Sequence, residues 1–205
     1  MKGRKNVRMN QLLFISTCMR GPEHSRTDGL CRTFLKVWKQ HNPDGEIRER
    51  DLTSADLPVM TAQLSQKRDA AVEEKNWNAP LLEAAREVAE ADLVVIGAPY
   101  WDLSCPAALK VYLEWASTLG VTFRYDEQGQ LVGMSKAEKL LYITTGGGVI
   151  QGQNYGFDYV KALGAMLGIS NAQCVMAELL DVQGGPGEEN LAVARRELEE
   201  LAKHW

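Results

Sequence analysis

The run Leu93-Val94-Val95-Ile96-Gly97, followed at once by Ala98-Pro99-Tyr100-Trp101, constrains this chain most. A short uninterrupted apolar run has no polar face to give to water. It has to be covered on both sides, which is the situation of a strand in a parallel sheet flanked by helices. In an open α/β sheet, ligands bind just past the carboxyl ends of the strands. Pro99 followed by two large amphipathic rings at that place reads as a platform for a flat molecule.

The same pattern recurs along the chain. Leu12-Leu13-Phe14-Ile15 is a second buried run, Leu140-Leu141-Tyr142-Ile143-Thr144 a third and Cys174-Val175-Met176-Ala177 a fourth. Residues 46–52, with Ile47 as the inward side chain among charges, read as an edge strand. Between these lie helical periodicities. Leu30, Phe34, Val37 and Trp38 form an apolar stripe that Asn42-Pro43-Asp44-Gly45 ends. Leu81, Ala85, Val88 and Ala89 mark a helix over 80–91, and Leu109, Tyr112 and Leu113 one that starts near Pro106. A further helix is expected near 155–167, and the last carries Leu191, Ala194, Leu198, Leu201 and Trp205. Residues 53–79 are a long polar connection that holds a short helix or covers a site or subunit boundary. Residues 120–134 read as a small hairpin excursion. Strands alternating with helices imply an α/β fold, a mainly parallel sheet of about five strands with helices on both faces.

Composition narrows the function classes. With 205 residues, 45% hydrophobic and 24% charged, the chain fits one folded domain over 9–205, and residues 1–8 read as a disordered arm or an expression remnant. A formal net charge of -4 with scattered Lys and Arg lacks the basic footprint of nucleic-acid binding. No apolar stretch approaches the roughly 20 residues needed to cross a bilayer, so no membrane role is expected. Cys18, Cys31, Cys105 and Cys174 form no Cys-x-x-Cys pair and read as free thiols, which places the chain in the cytoplasm. No metal site is suggested.

Three loops follow carboxyl ends of strands and so share one rim. In the first, after Ser16, the turn Ser25-Arg26-Thr27 precedes a helix, whose free N–H groups and positive dipole end suit a phosphate. Ser25 or Thr27 serves equally well as a plain N-cap. In the second, Tyr100 and Trp101 form either the platform or a core or subunit contact. In the third, Thr145-Gly146-Gly147-Gly148 lets a ring approach the main chain, or is a flexible turn.

These residues in order, with Asp102-Leu103, Leu109-Lys110 and the segment Gly120-Val121-Thr122-Phe123-Arg124-Tyr125, make the chain resemble the FMN-dependent NAD(P)H:quinone oxidoreductases and azoreductases of flavodoxin-like fold. The resemblance spans nearly the whole chain. It implies that Ser16, Ser25, Arg26 and Thr27 hold the FMN phosphate, while Pro99, Tyr100, Trp101, Asp102 and Leu103, with Thr145, Gly146, Gly147 and Gly148, embrace the isoalloxazine. It implies a ping-pong enzyme in which FMN takes a hydride from NADH or NADPH and reduces a quinone, azo or nitroaromatic acceptor. It also implies a homodimer, with a neighbour roofing the Trp101 loop.

The chain departs from that pattern at three places. Asp102 stands where azoreductases commonly carry asparagine, Gly146 where many carry arginine, and the histidine that often follows the glycines is absent. Arg20 and His24, in an unusually long first loop, are candidate extra phosphate contacts or plain solvated side chains. Three other readings compete. A tyrosine phosphatase needs Cys-x5-Arg, but the position after five residues from Cys18 is His24, and no Asp-Pro supplies the acid. A non-catalytic flavodoxin-type electron carrier would use the same loops, and a regulatory flavin-binding module would keep the site without turnover.

Overall fold

The computed structural model describes residues 11–21, 23–54 and 57–205; the expected arm at 1–8 lies outside them. The first half of the chain runs β1 (Gln11–Ser16), α1 (Arg26–His41), β2 (Glu46–Asp51), α2 (Ala62–Glu73), a 3₁₀ turn (Pro80–Leu82), α3 (Glu83–Glu90) and β3 (Leu93–Gly97). The second half runs α4 (Ala107–Ala116), β4 (Phe123–Tyr125), β5 (Leu131–Gly133), β6 (Lys139–Thr145), α5 (Tyr155–Leu167), β7 (Asn171–Ala177) and α6 (Gly187–Ala202). Strands β2-β1-β3-β6-β7 form one five-stranded sheet in which every pairing is parallel. Strands β4 and β5 make a separate antiparallel hairpin. With the hairpin set aside, the order is the doubly wound 2-1-3-4-5, whose direction of winding reverses between β1 and β3. Register places Ser16 opposite Gly97, so β1 and β3 end level at that switch point, while β6 runs two residues past Ile143, the partner of Gly97, to Thr145.

The continuous apolar runs are explained by two cores, one on each face of the sheet. Alternate residues point opposite ways along a strand. Leu13, Ile15, Val94, Ile96, Leu140 and Tyr142 pack against α3, α4 and α5. Leu12, Phe14, Leu93, Val95, Leu141 and Ile143 pack against Leu30, Phe34 and Trp38 of α1 and Ala194 and Leu198 of α6. Trp205 closes this second core edge-on to Phe34, with ring centroids 6.0 Å apart. β2, at the edge, alternates exposed and half-buried residues, with Ile47 turned inward.

Two expectations are adjusted. The long connection holds α2, capped by Thr61, with Ala71 as its buried residue. The helix over 80–91 begins as a 3₁₀ turn, and of the expected stripe Ala85 and Val88 are buried while Leu81 and Ala89 are half-buried; Leu82, Ala84 and Glu87 complete the buried face. A 3₁₀ turn advances about 120° per residue instead of about 100°, so the helical phase read from Leu81 slips. Glu87 is buried because Arg50 Nε (3.1 Å) and the Tyr112 hydroxyl (3.0 Å) donate to its carboxylate and Arg48 Nε pairs with it at 3.0 Å.

The Gly120-Val121-Thr122-Phe123-Arg124-Tyr125 segment closes the end of α4. The buried Thr122 hydroxyl donates to Ala116 O at 2.7 Å and accepts from Thr118 N–H at 3.0 Å. The hairpin then lies against the corner after α5, where a Cβ on Gly133 would stand 2.1 Å from Gly168 N. Among the described residues no helix is long and apolar enough to cross a membrane.

Candidate functional site

At the rim, the turn after β1 is tied down at both ends. Thr17 N–H and its hydroxyl both donate to Gly97 O, at 2.9 and 3.1 Å, joining this turn to the end of β3. Ser25 is the N-cap of α1 and accepts from Asp28 N–H at 3.1 Å. The N–H groups of Arg26 and Thr27, in the first turn, have no acceptor among the described residues, as the start of a helix requires. They face the dipole's positive end, the arrangement an anion needs. Thr27 is buried, and its hydroxyl lies 2.7 Å from that of Thr145, so one of the two keeps a proton to donate elsewhere.

The platform is a tight turn. Trp101 N–H donates to Ser104 O at 3.2 Å and Ser104 N–H to Trp101 O at 2.8 Å. Between them Asp102 and Leu103 have φ of 50° and 65°. Positive φ at both central residues is the type I′ requirement, for which Asn and Gly are the usual occupants. Aspartate tolerates this conformation moderately well and leucine poorly, so the loop stores strain of order 1 kcal/mol at Leu103. The Trp101 N–H is used inside this turn. Trp101 is 42% and Leu103 47% exposed, whereas Tyr100 is half-buried, with its hydroxyl on Gln153 O at 3.1 Å.

The glycine loop is zipped to the segment after β7. Gly146 N–H donates to Ala177 O, and Leu179, Leu180 and Asp181 N–H donate to the carbonyls of Gly148, Gly146 and Gly147. Gly147 and Gly148 N–H have no acceptor among the described residues. A Cβ on Gly147 would stand 2.2 Å from Asp181 Oδ2, so the absence of a side chain there makes room for that carboxylate. Asp181 in turn holds Arg26, whose guanidinium donates to Asp181 Oδ1 at 2.8 Å and Leu180 O at 3.0 Å.

These loops enclose an open cleft of about 580 Å³, its mouth included. Ser25, Arg26, Thr27, Pro99, Tyr100, Trp101, Thr145 and Gly147 line it. Of the other residues singled out, Ser16 is buried beneath the turn, Asp102 and Leu103 project from the rim, and Gly146 and Gly148 flank Gly147. Met19, Arg20, His24 and Asp181 also line the cleft. Arg20 and His24 had been noted for their loop; nothing in the sequence marked Asp181, which is brought in by the zipper to the glycines. The cysteines are less scattered than their spacing suggests, for Cys18 and Cys31 both pack against Gly97 at the end of β3.

The sheet order and this cleft at its switch point define a protein of flavodoxin-like architecture, and the family model described as flavodoxin-like fold matches residues 10–202. An FMN-dependent NADH:quinone oxidoreductase of Clostridium beijerinckii is 34% identical over 199 residues, covering 96% of this chain and 100% of the relative. One of the same name from Caldicellulosiruptor saccharolyticus is 31% identical over 202 residues, covering 96% and 100%. Among solved structures, an azoreductase from Bacillus anthracis superposes with a TM-score of 0.85 at 25% identity, covering 96% of this chain and 100% of its own. The chain belongs to the family of FMN-dependent NADH:quinone oxidoreductases.

Proposed function

We propose that this chain is an FMN-dependent NAD(P)H oxidoreductase reducing quinones, azo or nitroaromatic compounds, with FMN in the cleft at the switch point. The observation that carries this is the convergence of three loops, from β1, β3 and β6, on one cleft with main-chain donors at two of its ends. Bound FMN would supply the two-electron chemistry between a nicotinamide donor and the acceptor.

The residues fit that cofactor. N–H groups of Arg26 and Thr27 and the Thr27/Thr145 hydroxyl pair suit a phosphate at the start of α1. Tyr100 and Trp101 offer the ring faces, and the N–H groups of Gly147 and Gly148 would donate to a flavin's pyrimidine edge, which gains negative charge on reduction. Trp101, Leu103, Val149 and Tyr155, on loops at this rim, are exposed. Exposed apolar side chains near a cleft suit both a flat acceptor and a second copy of the chain. We read the protein as a homodimer, and its free thiols as fitting a reducing cytoplasm.

Anaerobic stopped-flow reduction of the FMN-loaded protein by NADH and by NADPH, then reoxidation by a quinone, an azo dye and a nitroaromatic compound, tests this. Fast reduction by a nicotinamide and fast reoxidation by at least one acceptor are expected. Retained FMN that no nicotinamide reduces would leave a carrier or a regulatory module instead. Light scattering addresses the dimer, which a fully active monomer would exclude.

A further inference from the structure

Cys18 sits in the turn after β1 and Cys31 one turn into α1, thirteen positions apart, yet both sulfurs rest on the end of β3. Cys18 Sγ is 3.9 Å from Gly97 O, and a Cβ on Gly97 would stand 2.5 Å from Cys31 Sγ. Gly97 is thus the hole in the sheet that admits the second sulfur. The two thiols are thereby neighbours, and the side chains of Ser16, which accepts from Cys18 N–H at 3.4 Å, and of Ser25 stand beside Cys18. Ser25 being the N-cap of α1, Cys18 lies beside the positive end of that helix, a setting that favours a thiolate.

We propose that Cys18 and Cys31 are a peroxide-oxidisable dithiol that closes to a disulfide beneath the α1 end of the cleft. Hydrogen bonds to its sulfur, that from Cys31 foremost, bring the Cys18 thiol down to about 7 against the opposition of burial and of Asp28. Cys31, fully buried, is pushed up and stays a thiol. The roles are therefore unequal: Cys18 attacks and Cys31 resolves. The Cys18 thiolate takes the outer OH of a hydroperoxide, so that an S–O bond forms, the O–O bond breaks and an alkoxide or hydroxide leaves, taking a proton from water to become an alcohol or water. Cys18 is oxidised to the sulfenic acid as the peroxide is reduced. Cys31 sulfur then attacks Cys18 sulfur and gives its proton to the departing hydroxide, so that the S–S bond forms and water leaves. The neighbouring Met19 lines the cleft, which puts the pair next to an entry path for a small oxidant. The thiols of Cys105 and Cys174 are raised by burial and serve as internal controls.

The full-length protein, first fully reduced and then freed of reductant, is treated with hydrogen peroxide and followed by thiol titration, intact mass and peptide mapping. Two of the four thiols should be lost, the mass should fall by about 2 Da, and a peptide linking Cys18 to Cys31 should appear. Cys31→Ser should stop at a Cys18 sulfenic acid that dimedone traps, and Cys18→Ser should leave Cys31 a thiol. Four thiols surviving under conditions that oxidise a free thiol overturns the proposal, as does Cys18 advancing to sulfinic acid with Cys31 still reduced. Neither outcome depends on what occupies the cleft.

Discussion

Arg26, the first residue of α1, reaches across the cleft to Asp181, Nη2 to Oδ1 at 2.8 Å, joining two segments 155 positions apart. The pair sits at the start of α1 on one side and, on the other, on the segment after β7 that is zipped to the glycine loop. Its charges are therefore the local electrostatics of any anion bound there.

Removing one partner should change anion affinity more than stability. The side chains are 32% and 60% exposed, and a pair so solvated contributes under about 1 kcal/mol to folding. Asp181→Asn removes a negative charge near the phosphate position, and Arg26→Gln a positive one. Fluorescence titration with FMN should show severalfold tighter binding for Asp181→Asn and severalfold weaker binding for Arg26→Gln. Both changes should shrink as ionic strength rises, since exposed charges are screened. Equal affinities in both variants at low salt would dissociate this pair from the phosphate.

Asp102 is a weaker electrostatic lever than its place suggests. It projects from the rim into solvent, on the strained turn. An exposed charge contributes under about 1 kcal/mol to a neighbour, and about 1.4 kcal/mol corresponds to 30 mV for a two-electron couple. Asp102→Asn should therefore raise the flavin potential, but by less than about 20 mV on these figures, in a spectroscopic redox titration.

The turn itself is open to relief. Leu103 holds φ of 65° with 47% of its surface exposed, so its side chain gains little from burial in return for the strain. Leu103→Asn, which enters the left-handed region more readily, should stabilise the fold by about 0.5 to 1 kcal/mol in urea denaturation. An unchanged or lowered midpoint would place the strain elsewhere.

Glu87 should behave in the opposite way. Its carboxylate, 1% exposed, is the shared acceptor for Arg50 and Tyr112 and is ion-paired with Arg48, linking β2, α3 and α4. Glu87→Ala leaves the buried Tyr112 hydroxyl without its acceptor and Arg48 and Arg50 with Glu83 as their remaining partner, which should cost about 2 kcal/mol in the same assay. Glu87→Gln, which still accepts from Tyr112, is expected to recover part of that loss.

How much of this was legible in the sequence follows the range of the interactions. Leu93–Gly97 and the other runs announced themselves because a strand buried on both faces needs apolar residues at every position. Tyr155–Leu167 and the hairpin were equally readable, being set by local periodicity and by turn residues. The buried Glu87 was not, since a charge at helical spacing reads as solvent-facing unless its arginine partners, on another strand, are known. Asp181 and the Cys18–Cys31 contact were hidden for the same reason: each is defined by a partner that tertiary structure supplies. Ser25 illustrates the limit of local chemistry, for the residue that caps α1 also stands at the candidate anion site, and spacing alone does not separate these roles.

The most direct measurement is retention of the cofactor at the switch-point cleft. Purified protein, incubated with excess FMN and passed through a desalting column, should emerge yellow with stoichiometric flavin and quenched flavin fluorescence, and riboflavin should be held much less well because it lacks the phosphate. Colourless protein after that treatment would contradict the flavin assignment and leave only the flavodoxin-like architecture standing.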